Sequence, residues 1–170
     1  MNLLAVVGSP RKGNATDKRV DKAIEGFKSK SPDCRVKKIN LIEHDIKFCN
    51  NCLTCRDIKT NEPVAKCTIR DDMDHIKKDV LSSDYLIFGT PVHMGYATAI
   101  MMAFLERICW TFAKPEGKIL TINRCPVPRS NKKRKAIIIK PMGMINWIFH
   151  NGIGTETSVS LRSYSIFKNS

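Results

Sequence analysis

The stretch Leu3-Leu4-Ala5-Val6-Val7, broken at once by Gly8-Ser9-Pro10-Arg11-Lys12-Gly13-Asn14-Ala15-Thr16, decides how this chain is read. Five apolar residues without alternation describe a strand buried on both faces, as in a parallel sheet covered by helices. The polar, glycine-flanked turn then passes the chain to a helix starting near Asn14 or Ala15. A strand that ends in a turn opening a helix leaves backbone N–H groups and the positive end of a helix dipole aimed at one spot, which binds phosphate. Ser9, Asn14 and Thr16 add side-chain donors, and Arg11 adds charge. The plain alternative is an ordinary strand–helix loop with a capping asparagine.

Working outward, residues Ala15 to Lys30 carry Val20, Ala23, Ile24 and Phe27 at the spacing of one buried helical face. Cys34 to Leu41 reads as a second, more polar strand near a sheet edge. Asp71 or Asp72 caps a helix with Met73, Ile76 and Val80 inward, ending near Ser83. Tyr85 to Phe88 is a third strand. Ala97 to Trp110 is an amphipathic helix with Ile100, Met101, Phe104, Leu105 and Ile108 on one stripe, and Ala136 to Ile139 is a fourth strand. Strands alternating with helices mean βαβ units, hence an α/β, doubly wound parallel sheet in three layers with ligands at the carboxyl ends of its strands. A length of 170 residues and a 42% hydrophobic content suit one domain over 1–170.

The first loop lacks the GxGxxG fingerprint and the GKS or GKT ending of a P-loop. Hydroxyls and amides with a single arginine suit a phosphomonoester such as the tail of FMN. Here Gly8-Ser9-Pro10-Arg11 followed by Gly13-Asn14-Ala15-Thr16 resembles the phosphate loop of NADPH-dependent FMN reductase-like flavoproteins, which have the flavodoxin-like fold. The third strand ends in Gly89-Thr90-Pro91-Val92-His93-Met94-Gly95, which resembles that family's second flavin loop. The resemblance implies that Ser9, Arg11, Gly13, Asn14, Ala15 and Thr16 hold the FMN phosphate. It also implies that the ring lies by Pro91, Val92, His93, Met94 and Gly95, with Met142 and Gly143 of Pro141–Met144 as the third flavin loop. The family usually has aromatic residues where His93 and Met94 stand, and a methionine sulfur at a ring edge replaces part of that stacking.

Cysteine spacing is the next signal. Cys49, Cys52 and Cys55 form C-x2-C-x2-C, and Cys67 follows after eleven residues. Three thiolates so spaced wrap one corner of a cubane cluster, with a fourth arriving from further along. The cysteine-rich loop over 45–70 also resembles that of iron–sulfur flavoproteins, a branch of the same family, where it leads into a helix beginning Asp-Asp-Met, as Asp71-Asp72-Met73 does. That branch generally has a shorter final spacing. A [4Fe-4S] cluster on the four cysteines, a zinc site made by the same four, and free thiols facing a substrate all remain open. Cys34, Cys109 and Cys125 read as bystanders, Cys109 as a packing residue.

A net charge of +13 is high for such a domain, and the basic loop over 125–135 puts five cations into Arg129 to Lys135. The plain reading is a solvated, proline-stiffened lead-in to the fourth strand. The functional readings are attraction for NADPH phosphates or for an acidic electron-transfer protein. A nucleic-acid patch is disfavoured, because no zinc-finger His pair, RNP aromatic pattern or basic heptad region accompanies it. No run approaches the ~18 apolar residues of a membrane helix. The N-terminus has no signal-peptide pattern, so the expected location is cytoplasmic and the seven cysteines are expected as thiols, ligands or redox groups. Ser158 to Phe167 reads as a helix, which leaves the sheet without its usual fifth strand. An exposed edge is a liability, and a homodimer or higher oligomer is expected to cover it. The function expected is an FMN-dependent oxidoreductase passing electrons from NAD(P)H to a flavin, quinone or redox protein. The alternatives are a non-enzymatic FMN/iron–sulfur electron carrier partnering a ferredoxin and, more distantly, a basic nucleic-acid-binding module.

Overall fold

In the computed structural model, which describes residues 1–56, 59–141 and 164–165, the opening apolar run is strand β1 (Asn2–Val7). The chain continues through α1 (Ala15–Lys30), β2 (Arg35–Asn40), α2 (Met73–Ser82), β3 (Tyr85–Gly89), β4 (Val92–His93), β5 (Tyr96–Ala97) and α3 (Ala99–Phe112). It then forms β6 (Ala113–Ile119), β7 (Ile122–Pro128), β8 (Lys135–Ile139) and β9 (Tyr164–Ser165). The main sheet has the order β2-β1-β3-β8-β9, and its first four strands are parallel.

Strand alternation sorts β1 between two cores. Leu3, Ala5 and Val7 face α1 with Val20, Ile87 and Ile139. Leu4 and Val6 face α2 and α3 with Met73, Ile76, Val80, Met101 and Phe104. This explains the unbroken apolar run: both faces of the strand are under helices. Cys34 is buried in the first of these cores. Ala23, Ile24 and Phe27 pack against the same core.

Two helical expectations are corrected. Leu105 is 38% exposed, whereas Arg107, two residues on, is 3% exposed. A buried ion pair described below explains why the apolar stripe misreads this face. Cys109, expected to pack, is exposed.

The β6–β7 hairpin was not expected, and the basic loop over 125–135 is only partly a loop, because Cys125 to Pro128 completes β7. Pro115, Gly117, Pro126 and Pro128 suppress the strand signal in sequence, yet a free two-stranded ribbon tolerates proline where no ladder bond is needed. Most of the basic run is structural. Arg134 donates through Nε to Val80 O and through Nη2 to Leu81 O, while Lys132 Nζ reaches Ser82 O and Asp84. These cations cap the C-terminal end of α2, where carbonyls lack helical partners.

Tyr164–Ser165 pairs antiparallel with β8, opposite Ala136 and Lys135. At those two positions the expected helix over Ser158 to Phe167 is replaced by a strand that joins the sheet edge. The rest of that segment, with Met142 and Gly143, lies outside the described residues.

Candidate functional site

The order β2-β1-β3-β8 places a topological switch between β1 and β3, since the chain leaves β1 toward one edge and returns past it toward the other. In open α/β sheets the crevice outside this point receives the ligand. Here the three strand ends are tied together. Gly8 N–H donates to Gly89 O at 2.7 Å, Thr90 N–H to Ile139 O at 3.0 Å, and Val92 N–H to Pro141 O at 3.3 Å. Thr98, which N-caps α3, donates its hydroxyl to Gly8 O at 2.5 Å, and its N–H reaches Thr90 Oγ1 at 3.2 Å. The loop after β1 and the loop after β3 are thereby one rigid rim. Close approach makes this possible: a Cβ on Gly8 would run into Met101 of α3 at 2.7 Å and crowd Thr98 Oγ1 at 3.2 Å.

On the first loop, Ser9 is buried and its Oγ lies 3.0 Å from Arg11 O and 3.3 Å from Arg11 N. Thr16 is buried at the start of α1, while Arg11, Gly13, Asn14 and Ala15 are exposed. Asn14 N-caps α1 without using its side chain for the cap. Sequence reasoning missed Asp17. Its carboxylate accepts the Gly13 N–H at 2.6 Å and pairs with Lys38 at 2.6 Å, from a position only 4% exposed. Burial by itself would raise its pKa, but Lys38 and the Gly13 amide together hold it below the usual carboxylate value. Gly13 thus shapes the loop with its positive φ of 73°, and its amide is held by Asp17. An acidic residue in the first turn of a helix, after a glycine, was the available signal.

On the second loop, Val92–His93 and Tyr96–Ala97 form a miniature hairpin with His93 opposite Tyr96. Its two turn residues, Met94 and Gly95, have φ of 52° and 85°, as a type I′ turn requires. His93, Met94 and Tyr96 are all exposed on it, and Pro91 and Val92 are half-buried. Tyr96 supplies an aromatic ring where sequence reading saw only His93 and Met94. The pattern was present as an x-Gly pair flanked by two strand formers.

The four cysteines come together at a second place. Cys49, Cys52, Cys55 and Cys67 line one cleft with Arg56, Glu106 and Trp110. The Arg56 guanidinium stacks 4.1 Å above the Trp110 ring. Hydrogen bonds with Thr68 and Thr54 bring the Cys52 thiol down to about 7; the Thr68 hydroxyl is 3.2 Å from its sulfur. Burial pushes the Cys55 thiol up, and neighbouring Cys67 and Cys49 add to that. Between the cysteines, Asn51 and Leu53 adopt left-handed φ of 54° and 62°. For leucine this conformation is strained, and strain of this kind collects at binding sites. The thiols are all unpaired. They are not drawn into a coordination shell: among the described residues no group of three Cys, His, Asp or Glu side chains is arranged to hold one metal ion. The donor set nonetheless fits a thiophilic group, since four free sulfurs and an adjacent cation share one cleft.

Comparison with known proteins agrees with this architecture. A sequence profile described as NADPH-dependent FMN reductase matches residues 1–146. The iron–sulfur flavoprotein of Archaeoglobus fulgidus is 32% identical over 108 residues, covering 64% of this chain and 46% of that protein. The iron–sulfur flavoprotein of Methanosarcina thermophila is 30% identical over 107 residues, covering 63% and 52%. The chain therefore spans about half the length of the curated relatives it matches. Among solved structures, an azoreductase from Bacillus anthracis str. Sterne superposes with a TM-score of 0.60 at 16% identity, covering 84% of this chain and 69% of that one. An FMN-dependent NADH-azoreductase from Bacillus anthracis str. Ames Ancestor in complex with FMN gives 0.59 at 15% identity, covering 93% and 73%. These two likenesses show the fold. The chain belongs to the NADPH-dependent FMN reductase family.

Proposed function

We propose that this member of the family binds FMN at the β1/β3 switch point and passes electrons from NAD(P)H to an acceptor, as a single cytoplasmic domain. The observation that carries the reading is the rim made by Thr98, which joins the donor-rich loop Ser9–Thr16 to the miniature hairpin over Pro91–Ala97. A phosphomonoester fits the first loop, because the buried Ser9 hydroxyl, the Asn14 side chain and the Arg11 charge surround the start of α1. A flat ring fits the second, where Gly95 lets the main chain come close and Tyr96, His93 and Met94 stand exposed around it. FMN, when bound, supplies the hydride and one-electron chemistry; the protein positions it and tunes its surroundings. No general base is required, and none is proposed. The basic surface would attract the phosphates of a nicotinamide cofactor or an acidic redox protein.

The four-cysteine cleft is proposed to hold a [4Fe-4S] cluster. Cys49, Cys52, Cys55 and Cys67 would be its ligands, and the group would add a second one-electron centre. The names of the relatives and the shared cleft support this; a zinc ion on the same thiols is the competing occupant.

Anaerobic purification followed by an absorption spectrum, then rapid mixing with NADPH, tests the whole reading. Flavin peaks that bleach on mixing are expected. Flavin that stays oxidised would replace the reductase with the electron carrier, and failure to bind added FMN would overturn both.

A further inference from the structure

The cysteine loop is closed at its neck by a polar lock that neither the flavin site nor the thiols require. The chain enters the loop at residues 44–47 and leaves it at 69–72. Asp45 N–H donates to Asp72 Oδ2 at 3.0 Å, Asp72 N–H to Asp45 O at 3.1 Å, and Lys47 N–H to Asp71 Oδ2 at 3.0 Å. Across this neck lies Arg107 of α3. Its Nη1 donates to Lys47 O at 2.8 Å and to Asp71 Oδ2 at 2.6 Å. Its Nη2 donates to Asp71 Oδ1 at 3.0 Å and lies 3.5 Å from Ile69 O. The side chains of Arg107 and Asp71 are 1% and 0% exposed.

A fully buried bidentate pair adds little net stability over well-packed apolar residues, because desolvation cancels most of the attraction. What it adds is geometry: one planar fork grips both limbs of the loop at once. A second arginine repeats the device further out. Arg129 donates through Nη2 to Cys55 O at 3.0 Å, through Nη1 to Thr60 O at 3.3 Å, and through Nε to Ala113 O at 3.1 Å.

We propose that Arg107, locked to Asp71 and seconded by Arg129, is a positioning residue that pre-forms the four-cysteine loop for whatever thiolate-held centre the loop takes. The lock itself stands on the geometry above; its service to a bound centre rests on the proposed cluster. Without the lock, the loop spanning Cys49 to Cys67 would pay a larger ordering entropy on closing around its ligand. With it, the ends are already fixed, and Ala65, 2% exposed with its N–H on Thr111 O at 2.7 Å, holds the chain just before the last thiol inward.

The test compares wild type with Arg107→Lys, Arg107→Met and Arg129→Lys. Hydrogen exchange on the metal-free protein reads the lock. In Arg107→Lys, the amides of Asp45, Lys47 and Asp72 should exchange about tenfold faster, the equivalent of one lost charge-assisted hydrogen bond, while β1 and β3 stay protected. Anaerobic reconstitution with ferrous iron and sulfide then reads the centre. Both Arg107 variants should lose iron to a chelator faster than wild type. If Arg107→Lys does not fold, Arg129→Lys, which leaves the buried pair intact, must show the faster exchange around Cys55. Loop exchange unchanged in every lysine variant that folds overturns the lock. Iron lost at the wild-type rate by both Arg107 variants overturns the lock's service to the centre. A wild type that takes up no iron removes the cluster and that service with it, while the exchange data still decide the lock.

Discussion

The Asp17 carboxylate sits 4% exposed at the first turn of α1, with Gly13 N–H and Lys38 each 2.6 Å away. Its pKa is lowered in the fold, so it contributes stability that is present above its unfolded value of about 3.9 and lost as pH falls through the folded value. Urea unfolding of wild type and Asp17→Asn should therefore differ at neutral pH and converge in acid; a gap independent of pH would count against this role. The same loop carries the phosphate assignment. Arg11→Ala with Asn14→Ala should weaken FMN binding by about 1.5–3 kcal/mol per charge-assisted bond removed, measured by titration calorimetry. Unchanged affinity in the double variant would move the phosphate elsewhere. Ser9, Asn14 and Thr16 were legible as candidate donors because hydroxyls and an amide gather between a buried strand and the start of a helix. Asp17 was not, since its partner Lys38 comes from β2 and only the register of β1 with β2 brings it near.

At the scale of elements, the turn Met94–Gly95 depends on positive φ at both positions. A β-branched residue is a poor occupant there, whereas asparagine tolerates the left-handed region. Gly95→Val should lose flavin while the far-ultraviolet dichroism of the sheet persists, and Gly95→Asn should retain it. Flavin binding by the valine variant would show that the ring lies away from this hairpin. The C-terminal end of α2 offers a second check. Arg134→Ala removes donors to Val80 O and Leu81 O and should lower stability by about 1–2 kcal/mol in urea; a loss below a few tenths would mean water replaces them. The helices themselves were readable from their periodicity. The β6–β7 hairpin was not, because its prolines and glycine hide alternation that pairing alone reveals. The buried Arg107 escaped for the same kind of reason: no pattern along α3 announces that Asp71 will arrive opposite it.

For the molecule as a whole, two cores on either side of one sheet carry the fold, and Phe104 lies fully buried in the larger of them. Phe104→Ala should cost about 3–5 kcal/mol, read by denaturant unfolding, with FMN affinity falling only through the unfolded fraction. A loss under about 1 kcal/mol would show that the sheet face collapses around the gap. The sequence by itself determined the α/β class, the parallel strands over Leu3–Val7, Tyr85–Phe88 and Ala136–Ile139, the helices between them and the position of the first loop. Those features follow from local periodicity and turn chemistry, which neighbouring residues encode. Only the tertiary structure decided that Thr98 ties Gly8 to the second loop, that Tyr96 stands opposite His93, that four cysteines share one cleft, and that Arg107 locks its neck. Each of these joins residues far apart in the chain or across a turn, and strand order, register and helix packing determine such meetings rather than any pattern within one segment.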